Sequence, residues 1–226
     1  MNKYILSSLL ILSTSTLLAQ QSKLFIEAEG SYQKNKYKQS EGFYSNSLNK
    51  TSLIGSNIGY QLSRHDAIGI RYTYGMFNQE ENSKDVSAEF RTERSYKTNT
   101  KTNSFGVFYR YYLREKETSK WNVFAEVSPS FLKSKEKIEN LAITYYNYSE
   151  DQSPNIVNKN IDRTFKTLDG SVSIGSSYQL NPNWALQLSL RSIMQIQHHF
   201  GEFKATQYRF FEQILSNNFF SIQYQF

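Results

Sequence analysis

The segment that most constrains this chain is Phe219 to Phe226, FFSIQYQF. Phe220, Ile222, Tyr224 and Phe226 alternate with Ser221, Gln223 and Gln225. A period of two means a β-strand with one apolar and one polar face. The chain stops with its apolar face flush against the C-terminus.

The same alternation recurs upstream and predicts eight strands. The first runs from about Leu24 to Gln33, with Leu24, Ile26, Ala28, Gly30 and Tyr32 on one face and Phe25, Glu27, Glu29 and Ser31 on the other. The second covers about Thr51 to Leu62 and the third Ala67 to Phe77. The fourth covers about Asn103 to Leu113 and the fifth Trp121 to Phe131. The sixth covers about Thr167 to Leu180, the seventh Trp184 to Ile196 and the eighth Gln213 to Phe226. Most are close to the 9–11 residues that a tilted strand needs to cross a bilayer. Pro129 falls inside the fifth. It cannot donate to a ladder, so a bulge or an early end of pairing is expected there.

Connections alternate in length. Ser63 to Asp66, Arg114 to Lys120 and Asn181 to Asn183 are short. Lys34 to Lys50, Asn78 to Thr102, Leu132 to Lys166 and Gln197 to Glu212 read as four long loops. Trp121 and Trp184 each directly follow a short turn, which puts both at one interface, as an aromatic girdle requires.

The N-terminal segment carries Lys3, a short apolar run from Ile5 to Leu12, and Leu17-Leu18-Ala19. That is the layout of a secretory signal peptide cleaved after Ala19, leaving residues 20–226 as one domain. The apolar run is too short to span a membrane as a helix. There is no cysteine, which excludes a lipid anchor and any disulfide. Mean hydropathy is −0.61, as for a soluble protein, yet there are 17 tyrosines and 16 phenylalanines. A membrane barrel hides its lipid face in this way, because lipid-facing and interior residues alternate and average out. The net charge of +6 is scattered rather than gathered on one face, so no nucleic-acid partner is implied.

A soluble lipocalin-like barrel or a β-sandwich would share the strand count. Its interior could not hold Glu27, Arg71, Arg110, Glu126, Asp169 and Arg191, which all fall opposite the apolar faces. The whole pattern resembles the small eight-stranded outer-membrane β-barrels of bacteria, the OmpA/OmpX type. The resemblance covers Gln20 to Phe226 and implies an all-β, antiparallel, up-and-down transmembrane barrel with both termini periplasmic. It implies that Phe220, Ile222, Tyr224 and Phe226 are the signal read by the barrel-assembly machinery. It also implies outer-membrane lipid, including anionic lipopolysaccharide, as the surroundings.

An eight-stranded barrel is only wide enough for side chains to fill it. The phase of the strands points Glu27, Glu29, Glu126 and Asp169 inward with Arg71, Arg110 and Arg191, a set able to form an ion-pair network. Gln61, Gln187, Gln195, Gln223 and Gln225 add hydrogen-bonding groups. The expected role is a structural polar plug beneath a surface-interaction protein. The alternative is a narrow porin-like channel, and a lipid-modifying enzyme stands third. His65 falls at the wrong end for an enzyme of this fold. His198 and His199, near Glu202, fall at the right end, but no serine lies two residues after the histidine. Adjacent strand residues also point to opposite faces and do not share a metal. No catalytic, cofactor-binding or metal residue is assigned, and no phosphate, zinc or calcium motif occurs. The loops are the expected seat of function. Mixed charges in 78–102 suggest ribbons with cross-strand ion pairs. Tyr145, Tyr146 and Tyr148 are expected to pack on the barrel rim, with partner docking as the alternative.

Overall fold

The protein is represented by a computed structural model that describes residues 23–39, 43–87, 89–113, 119–146, 153–201, 204–211 and 218–226. The signal segment, Tyr148, Glu202, residues 213–217 and most of the Arg114 to Lys120 turn lie outside them. The described residues form nine antiparallel strands and no helix. They are β1 (Leu24–Gln39), β2 (Phe43–Gln61), β3 (Asp66–Val86), β4 (Phe90–Leu113), β5 (Trp121–Tyr146), β6 (Asn155–Gln179), β7 (Trp184–Phe200), β8 (Ala205–Phe210) and β9 (Asn218–Gln225). Each of β1 to β6 pairs with the next, β7 pairs with β9, and β9 pairs with β1. These eight strands make a closed ring of hydrogen bonds.

The eighth strand is split, which the sequence reading did not foresee. β8 pairs with the Met194–His199 stretch of β7, and β9 with Trp184–Leu190. Phe210 faces Met194 and Asn218 faces Leu190, so the two pieces enclose more chain than β7 spans between those points. Phe211 marks the break with a left-handed φ of 59°, and its N–H donates to the Ile193 carbonyl at 2.8 Å. β7 is itself bulged here, because Val172 pairs with Met194 while Ile174 pairs with Leu190. Ser192 turns the bulge at φ 58°. Two extra residues preserve the side-chain phase, so Arg191 and Gln195 stay on the same face.

In their described residues the four long connections are mostly strand rather than loop. β3 and β4 pair without interruption from Asp66↔Tyr111 to Val86↔Arg91. β5 and β6 pair from Trp121↔Tyr178 to Thr144↔Asn155. The strands run far beyond the alternating segments as ribbons. The reason lies in the two faces. Inside the apolar belt one face is greasy, so period two is legible. Beyond it both faces are polar, and the hydrogen-bond ladder continues without that signature. Cross-strand charges support it, with Lys84 opposite Glu93, Glu80 opposite Lys97, and Glu136 ion-paired to Arg163.

Two further expectations are corrected. Pro129 makes no bulge. Gly106↔Ser130 and Tyr109↔Val127 keep one register across it, and only the pairs between them lapse. Gly106 lets the strands approach there, since a Cβ at this position would lie 2.5 Å from the Pro129 carbonyl oxygen. Tyr145 and Tyr146 are not on the rim. They end β5, opposite Arg91 and Phe90, about 46 Å of strand beyond Phe131 at roughly 3.3 Å per residue.

The barrel is inside-out relative to a soluble protein. Ile54 is 64% exposed, Phe105 57% and Trp121 64%, whereas Glu27, Arg110 and Glu126 are 3%, 1% and 2% exposed.

Candidate functional site

Alternation in β1, β3, β4, β5 and β7 projects Glu27 and Glu29, Arg71, Arg110, Glu126 and Arg191 into the lumen, where all are buried. Arg71 forks onto Glu126, with Nη1 donating to Oε1 at 2.7 Å and Nη2 to Oε2 at 3.1 Å. Arg110 donates from Nε to Glu126 Oε2 at 3.0 Å and from Nη1 to Glu27 Oε2 at 3.1 Å. The Gln187 side-chain oxygen accepts from the same Nη1 at 2.8 Å. Arg191 forks onto Glu29, with Nη1 donating to Oε1 at 2.7 Å. Arg71 Nε stands 3.8 Å from Glu29, which links the two halves. Three carboxylates thus meet three guanidiniums, and the cluster is neutral. Bidentate geometry fits the planar fork of arginine, and lysine cannot reproduce it.

Asn57 joins the set. Its Nδ2 donates to Glu27 at 3.1 Å and Glu29 at 2.9 Å, while its Oδ1 accepts from Arg71 Nε at 3.0 Å. Sequence reasoning put Asn57 on the polar face of the second strand but gave it no role. Asp169 stands apart. It is buried, yet its Oδ1 accepts from Gln195 Nε2 at 2.7 Å, and among the described residues no ion pair joins it to an arginine. Gln187 donates to Gln223, whereas Gln61 turns to the Ser63 carbonyl at the short-turn end.

Aromatic rings also fill the lumen. Phe25, Phe108, Tyr112 and Phe124 form a buried cluster with Ala67. Guanidiniums lie on these rings. Arg110 is 4.4 Å from the Phe124 centroid, Arg71 is 5.1 Å from Phe108, and Arg191 is 3.9 Å from Phe219. Each contact adds cation–π attraction in a desolvated setting. Three of the rings lie over glycines. Phe25 pairs with Gly59, Phe108 with Gly69 and Phe124 with Gly175. A Cβ at Gly59 would come within 2.2 Å of the Phe25 ring, so the ring occupies the space a side chain would take. Beyond Arg71 and Arg191, toward the ribbons, lies a polar cavity of about 270 Å³ whose lining includes Asp169, Gln195 and Arg209.

The remaining singled-out residues sit elsewhere. Phe220 and Ile222 face outward, 53% and 42% exposed. Tyr224 packs on Trp184 with ring centroids 4.8 Å apart, and Phe226 on Tyr224 at 5.1 Å. His65 is at the short-turn end, with Nδ1 3.0 Å from the Tyr112 carbonyl. His198 Nδ1 lies 2.9 Å from Thr206 Oγ1, and His199 Nδ1 lies 2.9 Å from Thr167 Oγ1. Each histidine thus bonds to a threonine on a different neighbouring strand.

A lipid-like exterior around a charged interior suits only a bilayer. Residues 5–211 match the family model described as outer membrane protein beta-barrel domain. The chain belongs to that family. No curated protein matches the sequence. Among solved structures, this outer-membrane barrel is similar to Neisserial surface protein A, at 14% identity over 91% of this chain and 98% of that one, with a TM-score of 0.43. It is also similar to the N-terminal β-barrel domain of Pseudomonas aeruginosa OprF, at 12% identity over 90% and 96%, with a TM-score of 0.36. A third is OprG from Pseudomonas aeruginosa, at 10% identity over 91% and 96%, with a TM-score of 0.40. The assignment of this outer-membrane barrel to its family stands on the domain match.

Proposed function

We propose that this outer-membrane barrel is an electrically silent surface protein, with a plugged lumen and β-ribbons that act outside the cell. The observation that carries this reading is the neutral arginine–carboxylate cluster, seated on buried aromatic rings across a lumen already narrow at eight strands. Ion flow would require these pairs to part inside a site of low dielectric, which is costly. In this reading the short turns, Trp121 and Trp184 face the periplasm and the ribbons face outward. Residues 1–19 are the cleaved signal. Phe220, Ile222, Tyr224 and Phe226 are read by the assembly machinery, and anionic lipopolysaccharide is the lipid partner. No catalytic role is assigned.

A second reading, a narrow pore, has one observation in its favour. The polar cavity beyond Arg71 and Arg191 resembles a vestibule. Planar-bilayer recording of the refolded mature chain separates the two. Silence from a barrel shown folded by heat-dependent gel mobility is expected. Reproducible conductance steps that change with Arg71→Ala would overturn the plugged reading and favour the pore.

A further inference from the structure

On the outward face of β4, β5 and β6 the apolar belt ends at Phe105, Phe131 and Leu168. Beyond them on the outward face stand Lys101 (past Asn103), Lys133, Lys135 and Lys166, all exposed. Lys101 stands directly opposite Lys135, and Lys133 directly opposite Lys166. The other cross-strand neighbours of these four are Met76, Asn103, Thr164 and Phe200, none of them acidic. No ion pair involves any of the four among the described residues. Like charges directly opposite on one sheet face destabilise it. Higher on the same ribbons the chain does the reverse, setting Lys97 against Glu80 and Glu139, and Lys137 against Asp162, while on β1 and β2 Lys34 stands opposite Lys50. The patch thus lacks counter-charge where the hydrocarbon belt gives way to the headgroup layer.

We propose that Lys101, Lys133, Lys135 and Lys166 form a clasp for the phosphate groups of a phosphorylated lipid of the facing leaflet, its acyl chains lying on Phe105, Phe131 and Leu168. The inference deepens the lipopolysaccharide partnership proposed above and rests on it for orientation. Charge complementarity picks out this occupant. Four ammonium groups above an apolar wall match an amphiphile with phosphates at one end and chains at the other. Lysine stems also reach along apolar surface while keeping their heads in the headgroup layer. A bound anion removes the repulsion within both lysine pairs.

The test compares three refolded proteins: the wild type, the Lys101→Gln, Lys133→Gln, Lys135→Gln, Lys166→Gln variant, and a control with Lys34→Gln, Lys36→Gln and Lys50→Gln on β1 and β2. Folding of each is checked by gel mobility, and the pair Lys133→Gln, Lys166→Gln stands in should the fourfold variant fail to fold. Native mass spectrometry measures retention of bisphosphorylated lipid A, with dephosphorylated lipid A as the second probe and inorganic phosphate as competitor. Basic groups near anionic lipid contribute enough that the fourfold variant should bind bisphosphorylated lipid A at least about tenfold more weakly. The control should bind like the wild type, and dephosphorylated lipid A should not distinguish the three. Equal losses in variant and control would overturn the clasp and leave a general attraction to the leaflet. No loss in either would overturn the clasp while leaving the lipopolysaccharide partnership standing, and no retention of bisphosphorylated lipid A by the wild type itself would overturn both. Displacement of the lipid by inorganic phosphate would make this a free-anion site and overturn the lipid as its occupant.

Discussion

Arg110→Met should be more damaging than Arg71→Met, because of which carboxylate each leaves stranded. Arg110 is bonded to both Glu27 and Glu126. When it is removed, Glu126 keeps the Arg71 fork at 2.7 and 3.1 Å. Glu27 keeps only the Asn57 amide at 3.1 Å and loses its sole guanidinium among the described residues. A buried carboxylate without its cation costs about 3–5 kcal/mol. Arg71→Met strands nothing, because Glu126 retains Arg110 and Glu29 retains Arg191. Its cost should be closer to that of lost charged hydrogen bonds, about 1.5–3 kcal/mol. Adding Glu27→Gln to Arg110→Met removes the stranded charge, so the double variant should be more stable than the sum of the singles by about 1–3 kcal/mol. Urea titration of protein folded into phosphatidylcholine vesicles measures this, read by Trp121 and Trp184 fluorescence and by gel mobility. For an m value of about 2 kcal/mol/M, the Arg110→Met midpoint falls by about 2 M. The reasoning is refuted if Arg71→Met costs as much as Arg110→Met. It is equally refuted if Arg110→Met costs less than about 1 kcal/mol, for then water solvates Glu27 and the cluster is not desolvated.

Gly59→Ala should cost about 1–3 kcal/mol by overpacking, since its Cβ would fall 2.2 Å from the Phe25 ring. Phe25→Ala should restore much of the loss, and failure of that rescue would show that the ring is not the obstacle. On the β4 ribbon, the Arg91 side chain donates to Glu93 and holds its carboxyl below the usual range. A lowered folded value means that the contact stabilises the ribbon above about pH 4.3, the usual glutamate value, and is lost as pH falls through the folded one. An NMR titration should find Glu93 low and Arg91→Ala should return it to normal. An unchanged value in that variant would assign the shift elsewhere. Trp121 and Trp184 lie beside Tyr178 and Tyr224 at the short-turn end. Headgroup-proximal quenchers should therefore reach both tryptophans better than mid-chain quenchers, and strong mid-chain quenching of either would break the girdle assignment.

The sequence by itself determined the parts of this protein that touch two solvents at once. Where one strand face meets hydrocarbon and the other a polar lumen, side chains must alternate, and so the cores of β1 to β7 and β9 are legible residue by residue. The same period puts Glu27, Arg71, Arg110 and Glu126 opposite the apolar face, since a one-residue slip would bury charge in lipid. Only the tertiary structure decided the rest. Mixed charge hinted at a ribbon in 78–102, but how far the strands run was not legible, because both ribbon faces are polar and a continuous ladder leaves no periodic trace. Glu27 reaches Arg110 across the lumen while Asp169, in the same phase, meets Gln195 instead. That choice depends on strand stagger and ring closure, which no single strand encodes. The split of the eighth strand at Phe211 and the seating of Phe25 over Gly59 are likewise facts of register between strands distant in sequence.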